Sequence, residues 1–103
     1  MTELSESPIL PISVAARLLK IHPRTIMLYE SLGLVTPFRS DTKRRLFSIE
    51  DINRLQFIRY MTQVKGINLE GVKNILEAIK IGEENGILIK KRLFPNFKLQ
   101  KLV

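Results

Sequence analysis

The chain has 103 residues, 45% hydrophobic and 26% charged, a composition that suits one globular domain with a single modest core and excludes wholesale disorder. Its formal charge of +7 favours a polyanionic partner, while zero cysteines and a single histidine, His22, exclude disulfides, thiolate or multi-histidine metal centres and Cys/His nucleophilic pairs. No apolar run reaches the roughly 20 residues needed to cross a bilayer, and MTELSESP has acids where a signal peptide has positive charge, so a cytoplasmic protein with no membrane segment is expected.

Residues 1–12 form a polar, proline-punctuated lead. Ser13 stands where an N-cap would, ahead of VAARLLK, whose Val14, Ala15, Leu18 and Leu19 share one helical face. Lys20 and Ile21 make a tight turn into His22, a weak capping type, and Pro23 behind it suits the first helical position, where a missing N–H costs nothing. A second helix is predicted from Pro23 to Leu32, with Gly33 ending it in the left-handed conformation. Two helices joined by about three residues are a helix-turn-helix.

LVTPFRSDTKRRLFS has no helical period. Its apolar ends, Leu34-Val35 and Leu46-Phe47, enclose a basic centre and predict a small β-hairpin wing with Pro37 at a strand end. Ser48-Ile49-Glu50-Asp51 has the form of a capping box and opens a third helix over about 49–64, closed by Lys65-Gly66. Asn68 caps a fourth, LEGVKNILEAIKI, with Leu69, Val72, Ile75, Leu76 and Ile79 as its buried stripe and Gly71 placed for close approach of a neighbouring helix. Gly82 and Gly86 bracket an acidic turn, ILIKKRLF reads equally as short helix or strand, and Pro95 interrupts it. The expected fold class is mainly α, a winged helix-turn-helix of four helices and a hairpin wing over 13–81, with 82–103 as a C-terminal segment for dimerisation, partner binding or packing on the domain.

Helix two has more apolar side chains than one core-facing stripe can use. At about 100° per residue, Tyr29, Glu30 and Gly33 fall near Ile26, whereas Arg24, Met27, Leu28 and Ser31 fall opposite. A solvated outer face would carry more charge. In a helix-turn-helix the second helix enters the major groove, which offers Arg24 a guanine or a phosphate, Met27 or Leu28 a thymine methyl, and Thr25 a phosphate. Burial of Met27 and Leu28 under another segment or a partner is the alternative. Net charge is concentrated in residues 13–65, with ten basic against four acidic side chains, and in 87–103, with five basic and none acidic. Lys43, Arg44 and Arg45, with Arg39 near the hairpin's start, form a cationic tip suited to phosphates, although charge runs are often merely solvated.

Residues 11–76 carry a recognisable pattern: Thr25 with Tyr29-Glu30, the Gly33-Leu34 that follows, Pro37 with Arg39, Arg45-x-aromatic-Ser ending at Ser48, Leu55 with Ile58, and Gly66 with Leu69. This pattern resembles the MerR family of winged-helix transcriptional regulators, and HPRTIMLYE and GINLEGVKNIL resemble its heat-shock repressor branch. The resemblance implies a repressor that binds inverted-repeat duplex DNA as a homodimer. Helix two would lie in the major groove and the wing on phosphates, with Arg24, Thr25, Tyr29 and Arg45 touching DNA. It also implies a chaperone or other protein partner for the C-terminal segment. Met27 stands where the family usually has arginine, Lys43-Arg44 replace a Gly-Tyr pair, and Lys20 replaces a turn glycine. Gly82, Gly86 and Pro95 rule out the long dimerisation helix usual in the family.

An excisionase-like architectural protein and an adaptor- or antitoxin-like interaction module remain alternatives. No nucleophile and base are paired and no phosphate-binding glycine loop occurs, so neither an enzyme nor a cofactor is expected.

Overall fold

The computed structural model describes residues 6–103 and divides them into two compact units. The first comprises the chain up to Gln56 together with Gln100–Val103, and the second is Phe57–Leu99.

In the first unit, strand β1 (Leu10–Pro11) leads directly into helix α1 (Ile12–Leu19), and helix α2 (Pro23–Ser31) packs against α1. Strands β2 (Phe38–Arg39) and β3 (Arg45–Phe47) complete an antiparallel sheet in the order β1-β3-β2. Helix α3 (Ile49–Arg59) begins here and runs into the second unit. The apolar core of the first unit includes Ala15, Ala16, Leu19, Ile26, Tyr29, Leu34, Val35, Phe47, Ile52 and Leu55, and Ser48 and Gln56 are buried polar residues.

Ser13 does not cap α1. The cap position belongs to Pro11, which makes no side-chain cap, because the helix starts where β1 leaves the sheet and pairing of Leu10 with Phe47 and Pro11 with Leu46 sets that point. As the chain's first strand lies at the sheet edge, the missing proline N–H costs no ladder bond. Leu34-Val35 likewise form no strand. They are buried core residues, and the wing's first strand starts only after Pro37, at Phe38.

Both helices of the helix-turn-helix end alike. Ile21 N–H donates to the Ala16 carbonyl and Leu34 N–H to that of Tyr29, each reaching back five residues as in a Schellman motif. The residue before each donor is left-handed, Lys20 at φ 56° and Gly33 at φ 75°. Lysine thus occupies a position that glycine takes without steric cost. His22 does cap α2, accepting the Arg24 N–H on Nδ1 at 3.0 Å, with Pro23 in the first turn. Ser48 and Asp51 form the reciprocal capping box of α3 at 3.0 and 2.9 Å.

In the second unit α3 passes into a π-helical turn, Tyr60–Val64, and Gly66 at φ 67° turns the chain toward α4 (Leu69–Glu84). Asn68 accepts the Gly71 N–H at 2.8 Å. A side chain at Gly71 would strike Ile67 and Asn68, so this glycine makes room for its own cap and not for another helix. Helix α4 continues past 81, and Gly82, expected as punctuation, lies buried inside it. A Cβ there would come within 2.6 Å of Ile89, the first residue of α5 (Ile89–Leu93), which packs on α4. Phe57, Tyr60, Phe94 and Phe97 form an aromatic cluster with centroid distances of 4.9 to 6.0 Å.

Candidate nucleic-acid interface

Helix α2 buries Ile26 and Tyr29 and exposes Arg24, Met27 and Leu28, the last two at 37% and 46%, as the helical period predicts. Thr25 is half-buried at the edge of this face. Ser31 turns its hydroxyl back onto the Leu28 carbonyl at 2.7 Å, which leaves Arg24, Met27 and Leu28 as the outward determinants. Tyr29 is only 4% exposed. Its hydroxyl shows no hydrogen bond among the described residues, and no fully buried side-chain oxygen or nitrogen among them lacks a partner, so the hydroxyl keeps some exposure. The ring packs inward and the oxygen meets solvent.

The wing pairs Phe38 with Leu46 and Arg39 with Arg45. Its turn is closed by Ser40 N–H to the Arg44 carbonyl and Lys43 N–H to the Ser40 carbonyl. Lys43, at φ 65°, holds the left-handed place that glycine usually takes in a three-residue hairpin loop. Lysine is strained there. The strain coincides with two exposed cations, Lys43 and Arg44, at the hairpin's tip.

Arg39 and Arg45 are placed differently. Both guanidinium groups converge on the carboxylate of Glu30 in α2: Arg45 Nε donates to Oε1 at 2.6 Å, and Arg39 Nη2 lies 3.3 and 3.4 Å from the two oxygens. Arg39 Nη1 also donates to the Lys43 carbonyl at 2.9 Å. One carboxylate therefore joins helix, both strands and wing tip.

In the sequence Glu30 stands out by its helical angle and as part of the Tyr29-Glu30 pair, and neither shows its bonds to the wing. A usable signal was present, since Glu30 is the one acidic residue between Glu6 and Asp41. Arg54 was also missed; its Nε donates to the Leu34 carbonyl at 2.6 Å, fixing the chain that leaves α2. Among the described residues no three His, Cys, Asp or Glu side chains form a metal-binding group, and no helix is long and apolar enough to cross a membrane.

Comparison with known proteins bears on the same segment. The model of the MerR HTH family regulatory protein matches residues 10–79, from β1 into α4. The putative heat shock protein HspR of Streptomyces coelicolor is 45% identical over 76 residues, 73% of this chain and 50% of that protein. The HTH-type transcriptional regulator GlnR of Bacillus anthracis is 34% identical over 94 residues, 84% of this chain and 72% of GlnR. The chain thus spans half the length of the Streptomyces relative. Since the matched segment contains α2, the wing and the residues that join them, the chain belongs to the MerR family of helix-turn-helix regulatory proteins.

Proposed function

We propose that this protein is a cytoplasmic, sequence-specific DNA-binding transcriptional regulator, acting as a repressor. The observation that carries the reading is the exposure of Arg24, Met27 and Leu28 on a helix tied by Glu30 to a hairpin with Lys43 and Arg44 at its tip. Helix α2 enters the major groove by its N-terminal end. Arg24 donates to a guanine edge, and Met27 and Leu28 meet thymine methyl groups. Thr25 and the Tyr29 hydroxyl take phosphates, as do Lys43 and Arg44. Arg39 and Arg45 reach the backbone through the N–H groups that Glu30 leaves over. These contacts set register and affinity, and the helix sets sequence. No step requires a cofactor.

In this reading the protein binds an inverted repeat as a homodimer. Ile81, Ile87, Leu88 and Leu93 are exposed in the second unit and offer apolar surface for a second copy or for a protein partner such as a chaperone. Such a partner would act on the C-terminal segment.

Selection of bound duplexes from a random pool tests the proposal. A recovered inverted repeat, bound with an affinity that falls steeply as salt rises, is the expected result. Sedimentation with that duplex should show two chains per repeat. Absence of a recovered motif, together with salt-independent binding, would overturn it.

A further inference from the structure

We propose that Glu30 is a positioning and specificity-determining residue for DNA binding: it aims the wing tip relative to helix α2 and withholds two arginines from indiscriminate phosphate contact. The inference rests on the DNA-binding reading above.

An acid on a surface meant for a polyanion works against affinity, so its presence needs another use. Glu30 holds the Nε edge of Arg45 and a terminal nitrogen of Arg39, and Arg39 passes the connection to the Lys43 carbonyl. The chain of bonds thus runs from the groove-facing helix to the residue that turns the wing. The Glu30 side chain is 20% exposed and that of Arg45 23%, which shields their bond in part from water and salt, whereas the Arg39 side chain at 43% is open to both. Beside the backbone pairing of the sheet, Glu30 thus adds a side-chain link between α2, which carries Arg24, Met27 and Leu28, and the hairpin that carries Lys43 and Arg44.

The second effect is electrostatic. Non-specific affinity depends on how many cations neutralise phosphates, whereas specificity is the ratio of cognate to non-specific binding. Two guanidinium groups sharing one carboxylate present a net charge of +1 in place of +2. The Nε of Arg45 and both terminal nitrogens of Arg39 already have acceptors within the protein. Glu30 lowers the indiscriminate contribution while leaving Arg24 and the apolar pair untouched, which raises the ratio.

The test compares the unmodified protein, Glu30→Gln and Lys43→Ala across a salt series, each with a random duplex and with the duplex recovered by selection. Glu30→Gln should bind the random duplex more tightly at low salt, with a salt slope steeper by about one, equivalent to about a 3-fold larger loss of affinity between 50 and 200 mM salt. Its preference for the selected duplex should fall several-fold. Lys43→Ala should instead lose about one from the slope. If Lys43→Ala behaves so and Glu30→Gln matches the unmodified protein, the Glu30 proposal alone is overturned; if none of the three binds DNA, the DNA-binding reading falls instead.

Should Glu30→Gln fail to fold, the unmodified protein still decides. The Arg45 side-chain Nε–H, observed by NMR, should exchange with water much more slowly than that of Arg44. It should remain slow with random duplex present. Equal exchange at Arg44 and Arg45 would overturn the clamp.

Discussion

The two compact units are held together by different kinds of force. The first is cross-linked by directional bonds between distant elements: the Glu30 fork, Arg54 to the Leu34 carbonyl, and buried Gln56, whose amide both donates to and accepts from the backbone of Gln100 at 2.8 and 3.0 Å. In the second, the side-chain bonds of Thr62, Asn68 and Asn85 stay within their own helix or its cap, and Ile58, Met61, Val72, Ile79 and the four-ring cluster supply an apolar core. Lys90 adds a cation 4.4 Å from the centroid of Phe57. Apolar packing is non-directional and strong in sum, whereas hydrogen bonds contribute less each but fix angles. On the DNA-binding reading proposed above, a unit that presents a helix and a hairpin to one duplex needs angles more than it needs cohesion.

This contrast predicts its largest effect in the second unit. Phe57→Ala removes a buried ring with two aromatic neighbours and a cation, and should lower unfolding free energy by about 3–5 kcal/mol, a large part of the roughly 5–15 kcal/mol a domain possesses. Urea titration measures the loss. At a temperature where the variant stays folded, its salt dependence on DNA should equal that of the unmodified protein, because no groove or wing contact has changed. A changed slope would mean that the aromatic cluster shapes the interface.

Arg24→Ala reverses the pattern. Arg24 is exposed, and its backbone N–H donates to the His22 cap. Melting temperature should hold within a degree or two, while binding to the selected duplex weakens by about 1–3 kcal/mol and discrimination at one base pair relaxes. Equal loss on random and selected duplexes would reassign Arg24 to a phosphate. Ser48→Ala lies between the two, with an expected loss of about 1 kcal/mol from the α3 capping box in thermal unfolding and no direct effect on DNA.

The elements read correctly from sequence are those whose cause is local. Ser48 with Asp51, Asn68 with Gly71, and Gly33 after α2 act across five residues or fewer, and the outward set Arg24, Met27 and Leu28 follows from helical period alone. What escaped depends on distant partners. Leu10–Pro11 is a strand only because Phe47 and Leu46 lie opposite, the Glu30 bonds span 9 and 15 positions, and the Gln56–Gln100 pair spans 44. Glycine misled in two places: Gly71, which makes room for its own cap and not for a neighbouring helix, and Gly82. Gly82 reads as a stop, but its use is to let Ile89 and the Ile87 carbonyl approach the last turn of α4. Of the candidate interface, the exposed cations were legible and the bonds of Glu30 were not, since they are made to two arginines outside its own helix.

The smallest effect expected is a gain. Lys20 and Gly33 end successive helices with the same backbone pattern, yet only one of them is a residue for which a positive φ is cheap. Left-handed φ costs an L-residue about 1–2 kcal/mol, and glycine gives back up to about 1 kcal/mol through the greater freedom of its unfolded chain. Lys20→Gly should therefore stabilise the first unit by about 0.5–1 kcal/mol, raising the melting temperature by about 2–6 °C. Because the Ile21 N–H to Ala16 carbonyl bond already fixes the turn, the angle between α1 and α2 should not change, and neither should the preference for the selected duplex. A gain in stability with unchanged preference would mean that the turn's geometry comes from its hydrogen bonds and that the lysine only strains it. A loss of preference would give Lys20 a part in recognition.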